Sequence, residues 1–216
     1  MKKQSHNIHP YYSSWQKRAF DFSMSVIIVL AATPLLCLII IVIYITSGSP
    51  VIFTQKRLGK DKKIFILYKF RTMHSDAEKV RKKLQNLNEA PLPMFKIKND
   101  PRFTLFGKTL SNFGLDELPQ LFNILKNEMS LVGPRPLPLN EANNLPAKWD
   151  IRYEVKPGVF SYWTLSHKRY ESLATWLALD RKQLKFGSTI EDLLIITKTM
   201  INLLLVEVKT QLISKK

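Results

Sequence analysis

The stretch that decides the fold runs from Phe22 to Tyr44 and reads FSMSVIIVLAATPLLCLIIIVIY. It lies within a longer run, residues 22–55, that has no charged side chain and is flanked by Lys and Arg on both sides. As a helix, the quoted stretch would extend about 35 Å, which is long enough to cross a bilayer. Because Lys and Arg are enriched on the cytoplasmic flanks of membrane segments, both ends favour the same side of the membrane.

Pro34 lies in the middle of this stretch and predicts a bend or break near Thr33, because proline removes one backbone N–H and clashes with the preceding turn. The Thr33 hydroxyl is placed to satisfy a carbonyl group that the break frees. A re-entrant helix-break-helix over residues 17–46 would return both basic flanks to the cytoplasm. A kinked helix that crosses the membrane once is the open alternative.

The rest of the 216 residues leaves room for one soluble domain of about 150 residues. The net charge of +16 predicts an anionic partner, such as membrane headgroups, nucleic acid or a phosphorylated substrate. The basic residues are spread along the chain without a recognisable nucleic-acid module, so nucleic acid is not expected as the partner. The single cysteine excludes an intrachain disulfide, and the four scattered histidines argue against a structural zinc site.

Short strands and several helices are expected after the apolar stretch. Residues 51–53 favour a strand, and residues 64–71 alternate with the period of a strand. On that period Lys69 and Arg71 project from one face, and the opposite, apolar face consists of Ile64, Ile66, Tyr68 and Phe70. Helices are predicted at 75–88, from near Asp116, and at 190–209, where the last suits either packing on the domain or lying on the bilayer.

Two adjacent carboxylates, Asp116 and Glu117, precede an apolar helix and are the first candidate for chemistry. The positive end of the helix dipole favours their ionised forms. Functionally, one carboxylate would be a nucleophile toward phosphorus and its neighbour would hold a hard cation such as Mg²⁺. The structural alternative makes Asp116 the N-cap of the helix and Glu117 part of its first turn.

Cations form the second candidate group. Lys69 and Arg71 on one strand face suit a diphosphate held near a membrane, although a solvated strand face has the same pattern. Arg135 stands between Pro134 and Pro136, which restrict its backbone, so its guanidinium loses less freedom on gripping a phosphate. A plain surface turn is the alternative for this loop. Acids and cations beside a membrane together indicate phosphoryl transfer.

Several ordered blocks of the chain resemble the bacterial sugar transferases, the polyprenyl-phosphate sugar-1-phosphate transferases also called monotopic phosphoglycosyl transferases. The similarity runs from about Lys17 to Thr199. The matching blocks are KRAFD at 17–21, TP at 33–34, VIFTQKRLG at 51–59, KFRTM at 69–73, LDELPQL at 115–121 and MSLVGPRP at 129–136. The chain is most similar to the family's minimal form, a catalytic domain with one re-entrant helix.

The resemblance implies an α/β fold, mostly α with a small β element, in a membrane-associated monotopic domain with one re-entrant broken helix. It divides the chain into an N-terminal arm at 1–16, the re-entrant helix-break-helix at 17–46, and a cytoplasmic catalytic domain with interfacial helices at 47–216. It also implies the bacterial inner (cytoplasmic) membrane as the location, with the catalytic domain facing the cytoplasm.

The reaction that the resemblance implies has two steps. Asp116 attacks the sugar-bearing phosphate of a UDP-sugar and releases UMP, and undecaprenyl phosphate then takes the phosphosugar from the enzyme. By the same resemblance Glu117 helps to hold Mg²⁺, while Lys69, Arg71 and Arg135 stabilise phosphate charge. The expected substrate-binding set is completed by Arg102, Pro134, Pro136 and Asp180. Membrane lipid is a further partner, and the apolar pattern leaves an oligomer possible.

The chain departs from the family pattern on the substrate side. Ser111 stands where members usually carry Arg, and Gly114 stands where Ser is common. Residues 159–164 replace a stretch that usually holds a second glycine and soon a Gln. Lys108 or Arg102 is expected to replace the lost arginine. These changes keep one alternative open, a catalytically weak membrane scaffold or regulator of the same glycan pathway.

Overall fold

The computed structural model describes residues 8–166 and 168–214, with the backbone alone for Leu204 and residues 206–214. Within this part helices dominate and four short strands form two sheets, in agreement with the mostly α fold that the sequence predicts. The helices are α1 Trp15–Ser47, α2 Ala77–Lys83, α3 Leu105–Asn112, α4 Gln120–Leu125, α5 Leu139–Ala142, α6 Tyr162–Leu165, α7 Leu173–Lys185 and α8 Thr189–Ser214. The strands are β1 Ile52–Leu58, β2 Ile64–Phe70, β3 Ser130–Val132 and β4 Gly158–Phe160.

The described part of the N-terminal arm packs on the domain. A 3-10 turn at Pro10–Ser13 places the Tyr12 hydroxyl where it donates to the Gln183 carbonyl at 2.7 Å. The His9 amide donates to the Leu184 carbonyl at 2.8 Å. Residues 8–14 are therefore held by hydrogen bonds to α7, which differs from the loose arm expected from the sequence. Residues 1–7 of the predicted arm lie outside the described part.

Helix α1 continues through Pro34 as one element, so the predicted break near Thr33 is not seen, and the alternative of a bend there stays a prediction. The Thr33 hydroxyl donates to the Val29 carbonyl at 2.8 Å. Pro34 lacks the N–H that would bond the Leu30 carbonyl, so the hydroxyl bond lies one residue before the freed group. A single missing backbone bond is tolerated here because the turns on either side keep their helical geometry.

Both halves of α1 pack against the same domain. In the first half Phe20 and Ile28 contact the apolar cluster that includes Leu121 of α4. In the second half Ile39 and Ile43 are fully buried in a cluster with Phe70 and Leu110. The outer face of the helix stays exposed, and α1 is the one described helix that is long and apolar enough to cross a membrane by length and composition.

Strands β1 and β2 form an antiparallel hairpin in which Ile52 lies opposite Phe70. On β2 the side chains of Phe65, Leu67 and Phe70 are buried, whereas Ile64 and Ile66 are 60% and 46% exposed. The predicted apolar face is therefore divided, because Ile64 and Ile66 are exposed and Phe70 is buried. Apolar residues occupy both faces at this point of the strand, so alternation alone does not show which face α4 covers. Lys69 consequently shares its face with buried residues.

The short parallel pair β3 and β4 brings the proline-rich loop next to the C-terminal helices, with Ser130 opposite Gly158 and Val132 opposite Phe160. Behind it, α6, α7 and the 3-10 turn Ala147–Glu154 enclose a second apolar cluster rich in tryptophan. Helix α8 extends beyond the predicted 190–209 range, and it packs on the domain through its fully buried Ile195. Its other side exposes an apolar stripe that includes Ile190, Leu193, Leu194, Met200, Ile201 and Leu205.

Candidate active site

The carboxylate pair lies in a 3-10 turn, Leu115–Glu117, between α3 and α4. Gly114 starts the turn with a φ of 68°, a left-handed conformation that favours glycine. Asp116 is 1% exposed, and α4 begins only at Gln120, after Pro119. The N-cap alternative is therefore wrong, because Asp116 lies ahead of the helix that it was expected to cap.

Cations from two distant parts of the chain meet this pair. The Lys69 ammonium lies 2.6 Å from Oδ2 of Asp116 and 3.8 Å from Oε1 of Glu117. The Arg135 guanidinium lies 3.3 Å from the same Glu117 oxygen. The structure therefore brings together the four residues Lys69, Asp116, Glu117 and Arg135 in a row of alternating charge.

The two carboxylates have different proton affinities. Burial raises the pKa of Asp116, against the opposing effect of the Lys69 ammonium. Burial also acts to raise the pKa of Glu117, but Arg135 and Lys69 outweigh it and hold that pKa below its usual value. Glu117 is thus the firmly ionised member. Asp116 is the more basic member, and a more basic carboxylate is the better nucleophile once it is ionised.

Arg135 is held in place from its backbone as well as by its side chain. The Gly158 amide donates to the Pro134 carbonyl at 3.0 Å, and Arg57 donates to the Pro136 carbonyl at 2.7 Å. Arg152 donates to the carbonyl of Arg135 itself. The loop that the sequence predicts to be stiffened by proline is also fixed by three external donors.

Trp163, in the segment that departs from the family pattern, supports the Arg135 side chain. The guanidinium carbon lies 5.0 Å from the centre of the Trp163 ring, within the range of a cation–π contact. The indole is stacked on Trp176 at a centroid distance of 4.7 Å. Residues 159–164 therefore provide, through Trp163, the aromatic surface against which the Arg135 side chain packs.

Three of the predicted substrate-binding residues lie apart from the carboxylate pair. Arg71 donates to the Ser47 and Gly48 carbonyls at the end of α1. Arg102 makes a two-point ion pair with Asp100, at 2.9 and 2.6 Å. In these positions both guanidinium groups have protein partners instead of the carboxylate pair.

Asp180 is the third of these residues. It is 1% exposed and lies behind the loop, 3.6 Å from Arg152. Burial raises its pKa to about 6. Through Arg152 it supports the backbone of Arg135, so a direct contact between Asp180 and substrate stays a prediction.

Sequence reasoning missed Arg57 as part of this region. Its guanidinium is buried beside Arg135, and burial followed by that neighbouring charge lowers its pKa to about 9, so it remains a cation at neutral pH. It lies in a motif block that resembles the family, which is the one signal that could have pointed to it. Neither expected replacement for the lost arginine is at the pair, since Lys108 is exposed on α3 and Arg102 is held by Asp100.

The carboxylate pair has one feature of a Mg²⁺ site and lacks another. No group of three or more His, Cys, Asp or Glu side chains with metal-binding geometry occurs in the part of the chain that the structure describes. Mg²⁺ is commonly bound through one or two carboxylates together with substrate phosphates, and the Asp116–Glu117 pair fits that mode. Glu117 is the better ligand because it is the more firmly ionised of the two.

Comparison with known proteins places this chain in a family. A family model described as bacterial sugar transferase matches residues 12–206. The undecaprenyl-phosphate galactose phosphotransferase of Salmonella typhimurium is 35% identical over 204 residues, which cover 89% of this chain and 41% of that protein. The exopolysaccharide production protein ExoY of Sinorhizobium fredii is 32% identical over 188 residues, 85% of this chain and 83% of that protein.

A third relative is the undecaprenyl-phosphate glucose phosphotransferase of Komagataeibacter xylinus, 35% identical over 202 residues, 87% of this chain and 36% of that protein. The chain thus spans about two fifths of the Salmonella and Komagataeibacter proteins and most of the length of ExoY. With a match from residue 12 to residue 206 and these identities, the chain belongs to the bacterial sugar transferase family of enzymes.

Proposed function

We propose that this protein transfers a sugar 1-phosphate from a UDP-sugar to undecaprenyl phosphate, giving a polyprenyl-diphospho-sugar and UMP. The observation that carries the proposal is the buried Asp116 carboxylate, with Lys69 at 2.6 Å and Glu117 beside it. The names of the Salmonella and Komagataeibacter relatives describe phosphotransferases that act on undecaprenyl phosphate, and they support the same acceptor here.

The first step forms a covalent intermediate on Asp116. A carboxylate oxygen attacks the sugar-bearing phosphorus of the UDP-sugar, and the bond from that phosphorus to the bridging oxygen breaks. The electron pair leaves with UMP, and the sugar phosphate is left as an acyl phosphate on Asp116. In the second step an oxygen of undecaprenyl phosphate attacks the same phosphorus, the acyl phosphate bond breaks and the carboxylate is regenerated.

The cations of the site match this chemistry because phosphoryl transfer is promoted by positioning and by neutralising charge on the phosphate oxygens. Lys69 and Arg135 flank the carboxylates and would hold the donor diphosphate. Mg²⁺, held by Glu117, would add neutralisation of the diphosphate. The support of Arg135 by Trp163, Arg57 and Arg152 keeps one guanidinium in place throughout.

We also propose that α1 is re-entrant and that the domain faces the cytoplasm at the inner membrane. At one end Arg18 donates to the Ile124 and Leu125 carbonyls, and at the other end Arg71 bonds the Ser47 carbonyl. A straight helix of 33 residues would be about 50 Å long, and one that crossed the membrane would carry its second half away from the domain. Contacts at both ends favour the re-entrant path.

The alternative of a catalytically weak scaffold was prompted by the changed residues 159–164. Trp163 of that segment packs against Arg135, which in turn contacts Glu117. The segment therefore contributes to the ordering of the carboxylate pair, and the transferase is the better-supported of the two functions.

The experiment that tests the proposal measures UMP release from a panel of UDP-sugars by purified protein with Mg²⁺ and undecaprenyl phosphate. We expect release with at least one sugar and none from Asp116→Asn, which keeps the shape of the side chain but removes the nucleophile. Asp61→Asn, at an exposed aspartate, is the matched control and should behave as the wild type. Equal release from Asp116→Asn and wild type would rule out the covalent step.

A further inference from the structure

A cavity of about 500 Å³ lies beside the C-terminal end of α1. Its walls come from the end of α1, the end of β2 with the residues that follow it, and the start of α3. The polar and apolar groups that matter for its chemistry are Ser47, Arg71, His74, Ser75, Thr104 and Leu105.

The floor of the cavity carries a buried cation with unused donors. Arg71 is 9% exposed, and its Nη2 donates to the Gly48 carbonyl at 2.7 Å. Its buried Nε has no hydrogen-bond partner among the described residues. A guanidinium has five N–H donors, and the two backbone carbonyls that Arg71 bonds do not use all of them, so Arg71 keeps donors for an anion in the cavity. His74, Ser75 and Thr104 add further polar groups around the same space.

The mouth of the cavity is apolar. Leu105 is 94% exposed at the first position of α3. The adjoining end of α1 exposes Ile41, Tyr44 and Ile45. Apolar side chains exposed together beside a membrane helix are suited to contact with acyl or prenyl chains. The cavity thus combines a cationic floor with an apolar entrance, which matches a ligand with an anionic head and a hydrocarbon tail.

Residues two positions apart in the sequence contact the cavity and the carboxylate pair. Arg71 follows Lys69 by two residues where the chain leaves β2, a distance of about 7 Å at the rise of a strand. The Lys69 ammonium in turn lies 2.6 Å from Asp116. The cation that lines the cavity and the cation that pairs with Asp116 therefore belong to one short segment of the chain.

We propose that this cavity binds the phosphate head of the polyprenyl phosphate acceptor, while Lys69 and Arg135 hold the diphosphate of the donor. The inference rests on the proposed function for the identity of the acceptor. The cations then form two sites. Lys69 and Arg135 bind the donor, and Arg71 binds the acceptor. The prenyl tail would leave through the entrance at Leu105 and run along the exposed side of α1.

The test uses a single cysteine as a reporter of occupancy. The only native cysteine, Cys37, is changed to alanine, and Ser75→Cys places one thiol at the cavity. Its rate of modification by a water-soluble maleimide is measured in detergent micelles with undecaprenyl phosphate, undecaprenol or UDP. We expect undecaprenyl phosphate to slow modification at least fivefold, while undecaprenol and UDP change it less than twofold. Asn86→Cys, at an exposed residue away from the cavity lining, is the matched control and should be unaffected.

Two results would overturn the proposal: slowing by UDP in place of undecaprenyl phosphate, or no slowing by either. His74→Cys provides a second reporter if the Ser75 variant folds poorly. UMP release by the wild type without protection at either cysteine would defeat the cavity assignment alone. Protection by undecaprenyl phosphate without UMP release from any donor would defeat the transfer reaction and leave the cavity assignment standing.

Discussion

Replacing Lys17 with methionine should destabilise the protein more than any exposed lysine change. The Lys17 ammonium is buried between two carboxylates, at 2.8 Å from Asp21 and 2.7 Å from Asp192. Methionine keeps the apolar stem but removes the charge, which leaves two buried carboxylates facing each other. Breaking a buried ion pair from one side costs about 3–5 kcal/mol of the free energy of unfolding.

The lower part of that range is expected, because each carboxylate keeps another donor. The Leu131 amide donates to Asp21 at 3.1 Å, and the Tyr11 hydroxyl donates to Asp192 at 2.9 Å. For a chain of this size, a loss of 3–5 kcal/mol lowers the unfolding temperature by roughly 6–20 °C. Thermal unfolding in detergent micelles, followed by circular dichroism, measures this shift.

Two further variants make the experiment decisive. Lys56→Met, at an exposed lysine, should leave the unfolding temperature within 2 °C of the wild type, by an estimate of about 0.5 kcal/mol for surface changes. Lys17→Met combined with Asp192→Asn should regain part of the loss, since only one buried charge then remains. If Lys17→Met has the same unfolding temperature as Lys56→Met, the buried ion-pair network does not hold α1 to the domain.

Two other predictions concern stability. Burial raises the pKa of Asp180 to about 6. Between about pH 4 and 6 the carboxyl group is therefore ionised in the unfolded protein but still protonated in the folded one. Over that range the free energy of unfolding should fall, by up to roughly 3 kcal/mol, as the pH rises. Asp180→Asn should flatten that part of a stability–pH curve, whereas the control Asp76→Asn, at an exposed aspartate, should leave it unchanged. An unchanged slope in Asp180→Asn would contradict the prediction. Gly107→Ala would put a methyl group 2.0 Å from the Thr72 carbonyl oxygen, so α3 must shift. Calorimetry should show that the free energy of unfolding falls by about 1–3 kcal/mol, a loss that the control Thr109→Ala should not show. Equal stabilities of the two variants would contradict this account.

Much of the candidate site could be predicted from the sequence because its parts lie in compact blocks. Asp116 and Glu117 are adjacent, and the two prolines beside Arg135 mark a stiff loop, so each block has a chemistry of its own. The meeting of Lys69 with Asp116 could not be derived from alternation, because β2 has apolar residues on both faces. It depends on which face α4 covers, and that is a property of the packed domain.

The hydrogen-bond partners of the Arg71 side chain could not be predicted from the sequence. They are the backbone carbonyls of Ser47 and Gly48, and every residue has such a carbonyl, whatever its side chain. The pairing of Arg102 with Asp100, two residues away, was readable in principle, because opposite charges at that spacing in a proline-containing loop readily meet. The contacts of both halves of α1 with the domain are likewise tertiary, and no local sequence pattern contains them.

The ion pair between Lys17 and Asp192 also orders events in time. The two residues are separated by 175 positions, so at synthesis rates of 5–20 residues per second Asp192 is made roughly 9–35 s after Lys17. Until then, Asp21 is the one carboxylate of this ion-pair network that Lys17 can contact. The ion pair that joins α1 to α8 therefore forms only after the chain has been made as far as Asp192.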